Sequence, residues 1–367
     1  MNIDSKQLTI RHIPAVLYGN DAPRVFLHIH GKGGCKEEAI SLAQHACPKG
    51  WQVLSIDMPE HGERKSEPGF DPWHVVPELR DFMGWARERW NRVALYANSI
   101  GAWFSMLAFA DCAPERSLFL SPVLDMPRLI NRMMGWAGVD QQALEEQGTI
   151  QTNFGETLSW QYYQYAAVHP IGHWESPTAI LYADGDHLTE RDVVSDFAER
   201  FACQLTVAEG MEHWFHTPEQ LAFLDRWLER QLRPAIEVSA ALIWDGARFL
   251  ICQRPPHKAR GMQWEFPGGK VEPGESGAQA LVRECQEELG VTLTVLHTVT
   301  DVTYPYPDIT VHLTLFSTVI HSGTFQNREH LSFRWITVPE IPDYDFCPAD
   351  RHFLNAVAAE AHMRSQF

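Results

Sequence analysis

Three glutamates lie close together in the second half of the sequence, at Glu284, Glu287 and Glu288. On a helix, spacings of three and four residues place these carboxylates side by side. Because like charges repel, such a cluster is favourable when a cation neutralises it, and Mg²⁺ prefers oxygen ligands. The preceding Gly268 and Gly269 would let a backbone carbonyl approach the same ion. The spacing therefore indicates a divalent cation site, with a solvated acidic helix face as the alternative.

The helix that would carry these glutamates has clear ends. Ser276 and Gln279 form a capping-box pattern at its start, and Gly290 suits a left-handed stop. A stripe of apolar side chains recurs every four residues, at Leu281, Cys285 and Leu289. This pattern predicts a helix over 277–289 with its apolar stripe on a core and its glutamates on a different stripe.

The same stretch resembles the Nudix box. From Gly269 to Val291, its glycines and charged residues fit the pattern G-x5-E-x7-R-E-U-x-E-E-x-G-U, where U is a bulky apolar residue. The one departure is Cys285 at the first U position, which leaves the charged positions unchanged. The resemblance covers about 235–360. Its flank WEFPGGKVEPGES is similar to the MutT-like branch, especially CTP pyrophosphohydrolases and 8-oxo-dGTP diphosphatases, and implies hydrolysis of nucleoside triphosphates to monophosphate and pyrophosphate.

The resemblance also implies a metal site and its helpers. Mg²⁺, with Mn²⁺ as an alternative, would be held by the Gly268 carbonyl and by Glu284, Glu287 and Glu288. Arg283 would pair with and orient one of these glutamates. Glu329, in REHLSFRW, aligns with a further glutamate that acts as a ligand or a base in relatives.

Three more residues are expected to contact the nucleotide. Arg254 would touch a phosphate or the base, and Phe266 would line the base pocket. Asp350, in CPADRHF, falls where related enzymes that hydrolyse oxidised purine nucleotides often carry asparagine. An aspartate there would favour an exocyclic amino group, as on cytosine, so a pyrimidine triphosphate is the first expected substrate. The alternative is that Asp350 is simply an acid at a helix N-terminus.

Ser99, in the first half, lies between a β-rich run and a helical run in the sequence LYANSIGAW. Small–x–Ser–x–Gly in this context resembles the nucleophile elbow of the α/β-hydrolases, with Ala97 in place of the usual first glycine. The chain order serine, aspartate, histidine is available through Asp186 and His213. The resemblance implies that His213 takes the proton of Ser99 and that Asp186 orients the imidazole.

A loop with the sequence HGKGG, at 30–34, follows an early strand, as an oxyanion loop would. The backbone amides of Ile100 and of the Lys32 region would then stabilise the developing oxyanion. Asp184 and His216 are alternative triad members. A second alternative is a degenerate domain in which Ser99 occupies a structural turn.

The elements that must position these residues alternate along the first half. Runs typical of strands buried on both faces lie at 25–30, 52–57, 93–97, 117–121 and 179–184. Helices are expected from about 77 to 90, over 218–231, and near the C-terminus over 349–362. Residues 125–175, rich in Met, Trp and Tyr, are predicted to form a helical cap that would suit an apolar acyl or aryl group.

The predicted fold class is α/β throughout. An α/β-hydrolase fold, with a mostly parallel sheet, is expected over 1–232, and a Nudix α/β/α sandwich over 235–367. The second begins with a hairpin around Asp245 and Gly246. Leu232-Arg233-Pro234 would be the connector.

The net charge and the cysteine content of the chain limit the classes of molecule that it is expected to bind. The chain has 367 residues and a formal net charge of -17, which repels nucleic acid polymers and anionic membranes. Its 7 cysteines form no CxxC pair and the N-terminus does not resemble a signal peptide, so a reducing, cytoplasmic location is expected. The expected partners are a small-molecule nucleotide and an ester-type small molecule. The oligomeric state stays open, as do cleavage of another nucleoside diphosphate derivative and a non-catalytic binding or dimerisation role for one half.

Overall fold

The computed structural model describes residues 3–306 and 308–364. The chain divides into two compact units, Met1–Leu232 and Arg233–Phe367. Among the described residues, no helix is both long enough and apolar enough to cross a membrane.

Among its described residues, the first unit contains ten strands: β1 (Ser5–Ile10), β2 (Ile13–Tyr18), β3 (Arg24–Ile29), β4 (Gln52–Ile56), β5 (Arg92–Asn98), β6 (Ser117–Leu120), β7 (Thr149–Gln151), β8 (Thr157–Ser159), β9 (Thr178–Ala183) and β10 (Gln204–Ala208). Eight of them form one sheet in the order β1-β2-β4-β3-β5-β6-β9-β10. The pairs from β4 to β10 are parallel, whereas β2 is antiparallel to both β1 and β4. The prediction of a mostly parallel sheet is confirmed.

The helices of this unit are α1 (Ile40–Ala46), α2 (Pro72–Arg87), α3 (Ile100–Phe109), α4 (Met126–Ala137), α5 (Gln141–Gln147), α6 (Trp160–Val168), α7 (Arg191–Arg200) and α8 (Pro218–Gln231). Short 3-10 turns lie at Lys36–Ala39, Cys47–Lys49 and Gly62–Arg64. Every residue of β4 and β9 is buried, because apolar clusters cover both faces of the sheet. One cluster includes Trp103 of α3 and Phe82 of α2, and the other includes Trp227 of α8 and Leu42 of α1.

The segment between β6 and β9 contains α4, α5 and α6, and also the separate hairpin β7–β8. The sequence indicated helices here but gave no sign of the hairpin. Thr152 holds the turn of this hairpin, because its N–H and its hydroxyl both donate to the carbonyl of Glu156 at 2.8 Å.

The second unit contains β11 (Ile236–Asp245), β12 (Arg248–Gln253), β13 (Trp264–Glu265), β14 (Gly268–Lys270), β15 (Val291–Pro305), β16 (Thr310–Gly323) and β17 (Ser332–Ile336). Its helices are α9 (Gly277–Leu289), α10 (Pro348–Arg351) and α11 (Leu354–Arg364), with a 3-10 turn at Val338–Asp343. The sheet has the order β13-β12-β11-β16-β15, with β14 paired to β11 and β17 to β12.

Helices cover both faces of this second sheet. Leu281, Cys285 and Leu289 of α9 pack on one apolar cluster, while Phe353 and Val357, near and within α11, belong to another. The predicted α/β/α sandwich is therefore confirmed. The predicted single helix over 349–362 is instead two helices, because the N–H groups of His352 and Phe353 donate to carbonyls three residues back and not four. Phe353, at this junction, is buried in the core.

Candidate active sites

The carboxyl ends of parallel strands bring four segments of the first unit to one edge of its sheet. Ser99 follows β5, Asp186 comes shortly after β9, and His213 comes after β10. The 30–34 loop follows β3, which pairs with β5. Parallel strands end at the same edge, so residues far apart in sequence meet there.

Ser99 occupies a sharp turn between β5 and α3. Its backbone lies at φ 51° and ψ -122°, a strained conformation for a residue other than glycine. The neighbouring chain packs tightly against this turn. A Cβ on Gly101 would lie 2.5 Å from the carbonyl oxygen of His30, and one on Gly31 would lie 3.2 Å from the Cβ of Ser99. The glycines therefore permit the turn, as the elbow pattern requires.

Ser99, His213 and Asp186 form a continuous hydrogen-bonded relay. The hydroxyl of Ser99 lies 2.9 Å from Nε2 of His213, and Nδ1 of His213 lies 2.6 Å from Oδ2 of Asp186. Oδ1 of Asp186 accepts the N–H groups of Leu188 and Thr189, which fixes the carboxylate. The order of these bonds allows the imidazole to accept a serine proton while the aspartate holds its tautomer.

The alternative triad members lie outside the relay. Asp184 accepts the N–H of Gly210 at 2.6 Å. The side chain of His216 is exposed and lies 3.7 Å from Glu212. The structure thus brings together the first choices for the triad and not the alternatives.

Two backbone N–H groups remain available near the elbow. Within the described part of the chain, the N–H groups of Ile100 and Lys32 donate to no protein acceptor, whereas that of Gly33 donates to Nε2 of His61. The side chain of Lys32 forms an ion pair with Glu156. Ile100 and Lys32 are therefore free to donate to a ligand.

A buried ion pair lies just after the 30–34 loop in the chain, at Lys36. The ammonium of Lys36 lies 3.0 Å from Oδ2 of Asp57 and 2.6 Å from Oε1 of Glu63. Burial alone would raise the pKa of Asp57, but the N–H groups of Lys36 and Glu63 and the Lys36 ammonium together hold this pKa below its usual value. A Cβ on Gly62 would collide with Asp57 at 2.1 Å. The sequence patterns gave no sign of this pair.

The second unit places the acidic cluster on α9 as the spacing predicts. Ser276 and Gln279 form both bonds of the capping box, and Gly290 ends the helix in the left-handed conformation. Arg283 donates to Glu275 at 2.7 Å, to Glu284 at 2.8 Å and to the carbonyl of Lys270 at 3.0 Å. Arg283 therefore fixes the direction of Glu284.

The glutamates of α9 differ in their surroundings. The side chain of Glu287 is 62% exposed and that of Glu288 is 13% exposed. Burial chiefly raises the pKa of Glu288 to about 7; the proximity of His330 lowers it, while Glu329 and other nearby carboxylates raise it further. Oε2 of Glu288 is buried and accepts no hydrogen bond within the described chain. A cation would stabilise this carboxylate in its charged form.

The three expected nucleotide contacts lie close together. Arg254 forms an ion pair with Glu265, and the N–H of Phe266 donates to Oδ1 of Asp350 at 3.0 Å. Burial, with the nearby Glu265, raises the pKa of Asp350 to about 8, while the bond from Phe266 lowers it. Asp350 lies in the first turn of α10, but its side chain bonds to a different segment. It is therefore more than a helix-terminal acid.

The ring of Phe266 occupies a core position. It is buried among the rings of Phe249, Phe346 and Phe353. Its role in a base pocket stays a prediction, and the observed link to Asp350 runs through its backbone.

Comparisons with known proteins bear on this second unit. The family model of the NUDIX domain matches residues 233–357. The chain is 40% identical over 124 residues to the CTP pyrophosphohydrolase of Escherichia coli (strain K12), covering 34% of this chain and 92% of that protein. The chain belongs to the NUDIX family. It is also 39% identical over 82 residues to the 8-oxo-dGTP diphosphatase of Proteus vulgaris, covering 22% of this chain and 73% of that protein.

The first unit resembles a solved esterase in fold. Est1E from Butyrivibrio proteoclasticus, solved with ferulic acid bound, superposes with a TM-score of 0.52 at 16% identity, covering 62% of this chain and 97% of that chain. The predicted resemblances are thereby confirmed: a NUDIX hydrolase domain follows a unit with the α/β-hydrolase fold.

The NUDIX site fits a divalent cation by the chemistry of its donors. Its candidate ligands are all oxygens, and one buried carboxylate oxygen of Glu288 accepts no hydrogen bond from the described residues. Glu284 rests against Gly269, where a Cβ would lie 2.2 Å from the carboxyl carbon. The carboxylate oxygens of Glu284, Glu287 and Glu288 do not all lie within 4.8 Å of one another. Across residues 3–306 and 308–364, the group with three ligand atoms within 4.8 Å of one another is His12, Glu67 and Glu78, in the first unit.

Two residues of the NUDIX site were missed by the sequence patterns. Nε2 of His330 lies 3.6 Å from Glu265 and 3.9 Å from Glu288, and its side chain is almost fully buried. The predicted Glu329 forms an ion pair with Lys258 that lowers its pKa, and it lies near enough to Glu288 to raise the pKa of that group. Glu265 and His330 adjoin predicted site residues in sequence, but only the fold brings them beside Glu288.

Proposed function

We propose that residues 235–367 form a Mg²⁺-dependent NUDIX domain that hydrolyses a pyrimidine or oxidised nucleoside triphosphate to its monophosphate and pyrophosphate. The observation that carries this proposal is the buried carboxylate oxygen of Glu288, which accepts no hydrogen bond from the described residues, on the same helix as Glu284, which Arg283 holds. Relatives named CTP pyrophosphohydrolase and 8-oxo-dGTP diphosphatase support the substrate class.

Glu284, Glu287 and Glu288, with the carbonyl of Gly268, would hold the cation. The chemistry that a bound Mg²⁺ supplies is charge neutralisation on the phosphates and activation of a water molecule. Arg283 holds Glu284 in one orientation. The ammonium of Lys258 donates to Oε1 of Glu329 and lowers the pKa of this carboxyl group, which keeps it ionised. Its Oε2 would then accept a proton.

Asp350 is the proposed reader of the base. Its Oδ1 already accepts the N–H of Phe266, which leaves Oδ2 for a ligand. When the carboxyl group is ionised, an exocyclic amino group, as on cytosine, would donate to this oxygen. Arg254, aligned by Glu265, would add a cation near the phosphates or the base. This arrangement favours a pyrimidine, and oxidised purines are the competing substrates.

A panel of canonical and oxidised (d)NTPs with Mg²⁺ tests the proposal on the full chain. We expect release of pyrophosphate, strongly reduced in Glu288→Gln and unchanged in Glu272→Gln, whose side chain is exposed on the same segment. Equal rates in both variants would contradict the proposed site. Release of orthophosphate alone would mean cleavage of the terminal phosphate to leave a nucleoside diphosphate, and would contradict the proposed products. No turnover of any triphosphate, together with turnover of a nucleoside diphosphate derivative, would favour that other substrate class.

We propose a second activity, hydrolysis of a carboxylic ester, at Ser99. Oγ of Ser99 attacks the ester carbonyl carbon while its proton passes to Nε2 of His213, and Asp186 stabilises the imidazolium. The N–H groups of Ile100 and Lys32 stabilise the oxyanion. His213 then protonates the departing alcohol oxygen, and water hydrolyses the acyl-serine. The relay distances support this activity.

Ester turnover and labelling of Ser99 by a fluorophosphonate test this second activity, with Ser99→Ala as the control. A chain that neither turns over esters nor is labelled at Ser99 would instead have a non-catalytic first domain, serving to bind a ligand or to dimerise.

All seven cysteines are free thiols, which fits the proposed cytoplasmic location.

A further inference from the structure

Three large aromatic side chains of the first unit are unusually exposed. Trp136 is 44% exposed, Phe154 is 41% exposed and Trp214 is 63% exposed. They come from three separate segments, namely α4, the turn of the β7–β8 hairpin, and the loop that carries His213. Exposed aromatic groups that gather at one place usually mark a binding surface.

These rings form a continuous run that begins at the proposed general base. The ring centroid of His187 lies 6.4 Å from that of His213 and 5.4 Å from that of Trp214. Trp136 lies 6.4 Å from His187, and Phe154 lies 6.0 Å from Trp136 in an edge-on arrangement. We call His187, Trp214, Trp136 and Phe154 the aromatic rim.

The hairpin turn that carries Phe154, at the other end of the aromatic rim, is linked to the 30–34 loop by an ion pair. Phe154 lies in the hairpin turn that Thr152 closes onto Glu156. Glu156 forms the ion pair with Lys32. The rim therefore extends from His213 to the loop whose Lys32 N–H is free for an oxyanion. The guanidinium carbon of Arg132 lies 5.3 Å from the centroid of the Trp136 ring, in a cation–π contact.

The position of the rim beside His213 decides which half of an ester it meets. In the proposed reaction, Nε2 of His213 returns its proton to the oxygen of the leaving alcohol. The alcohol must therefore lie beside the imidazole, where the rim begins. The acyl group, bonded to Ser99 in the intermediate, need not touch the rim.

We propose that the aromatic rim binds an aryl group in the alcohol half of the ester substrate. Aromatic rings attract one another in offset and edge-on arrangements beyond the gain from apolar burial. The inference rests on the proposed activity of Ser99 and goes beyond it by naming the substrate class. An aryl-alkyl alcohol esterified to a small acid is thus the favoured substrate.

A pair of isomeric esters tests this proposal on the full chain. 2-Phenylethyl acetate carries its ring in the alcohol half, and methyl 3-phenylpropanoate carries it in the acyl half. 2-Cyclohexylethyl acetate serves as the matched non-aromatic ester. We expect kcat/KM to be highest for 2-phenylethyl acetate. Trp136→Ala or Phe154→Ala should lower that value by roughly three- to tenfold, mainly through KM, with little change for methyl 3-phenylpropanoate.

Trp85→Ala is the matched control, because Trp85 packs on Trp90 and Arg89 and not on the rim. Labelling of Ser99 by diisopropyl fluorophosphate should proceed at the parental rate in all these variants. If Ser99 is labelled but the isomers react equally, or the rim variants lose both activities equally, the rim proposal is wrong while the esterase proposal stands. If Ser99 is neither labelled nor active, both proposals fail.

Discussion

Oγ of Ser99 lies 2.9 Å from Nε2 of His213, although 114 residues separate the two in the chain. The contact exists because β5 and β10 end at the same edge of the first sheet. His213 is in turn held by Asp186, whose second oxygen accepts two backbone N–H groups. The relay is therefore preorganised before any ester binds.

Replacing Asp186 with asparagine should reduce ester hydrolysis by about 10⁴-fold in kcat. An asparagine amide favours the wrong imidazole tautomer, so that Nε2 no longer accepts the proton of Ser99. Steady-state hydrolysis of 2-phenylethyl acetate measures the effect. Asp184→Asn is the matched control, since Asp184 accepts the N–H of Gly210 and lies outside the relay. A large loss in the control and a small one in Asp186→Asn would favour the alternative triad.

Replacing Lys36 with methionine should destabilise the first unit by about 3–5 kcal/mol. The change leaves Asp57 buried without its cation, and an uncompensated buried charge is costly. Lys49→Met removes an ion pair to the exposed Glu229 and should cost at most about 1 kcal/mol. Hydrogen exchange of β3 and β4 peptides, followed by mass spectrometry, measures both. Equal protection in the two variants would contradict a supporting role for Lys36.

The sequence predicts best those elements whose own residues determine them. The strands β3, β4, β5, β6 and β9 are short apolar runs, and α9 carries its own caps. The edge strand β1 was missed because most of its side chains are exposed and show no apolar run. Helix α2 begins at Pro72 and not near Pro77, because Asp71 caps its first turn by accepting the N–H of His74.

In the candidate sites, too, the residues that belong to local patterns were predicted and those that depend on distant contacts were not. Ser99 and the α9 glutamates belong to local patterns that specify their own turn or helix. The Lys36–Asp57 pair and the contacts of His330 join segments that only the folded sheets bring together. No local spacing encodes such contacts.

Replacing Gly269 with alanine should weaken divalent cation binding by at least about tenfold. The new Cβ would lie 2.2 Å from the carboxyl carbon of Glu284, so this side chain must move away from its place beside Arg283. Titration of the full chain with Mn²⁺, followed by electron paramagnetic resonance, measures affinity without turnover. Gly84→Ala, where an added Cβ meets nothing within 4 Å, should bind Mn²⁺ as the parent does. Unchanged affinity in Gly269→Ala would contradict Glu284 as a ligand.

The stability of the second unit should fall as the pH rises from about 4 to about 8. Burial raises the pKa of Asp350 to about 8, against a usual value near 3.9, so the folded chain keeps a proton that the unfolded chain has released. The free energy of unfolding then decreases by up to about 1.4 kcal/mol per pH unit and levels off above about pH 8. Asp350→Asn carries no titrating group, and its side-chain oxygen still accepts the N–H of Phe266.

Urea unfolding at several pH values, followed by alkylation of Cys252, Cys285 and Cys347, reports on this unit, because all three thiols are buried. The pH dependence should be clearly smaller in Asp350→Asn than in the parent. Asp345→Asn, at an exposed carboxylate on the same segment, should retain the parental dependence. Identical pH profiles for the parent and Asp350→Asn would show that Asp350 is ionised in the folded protein at neutral pH.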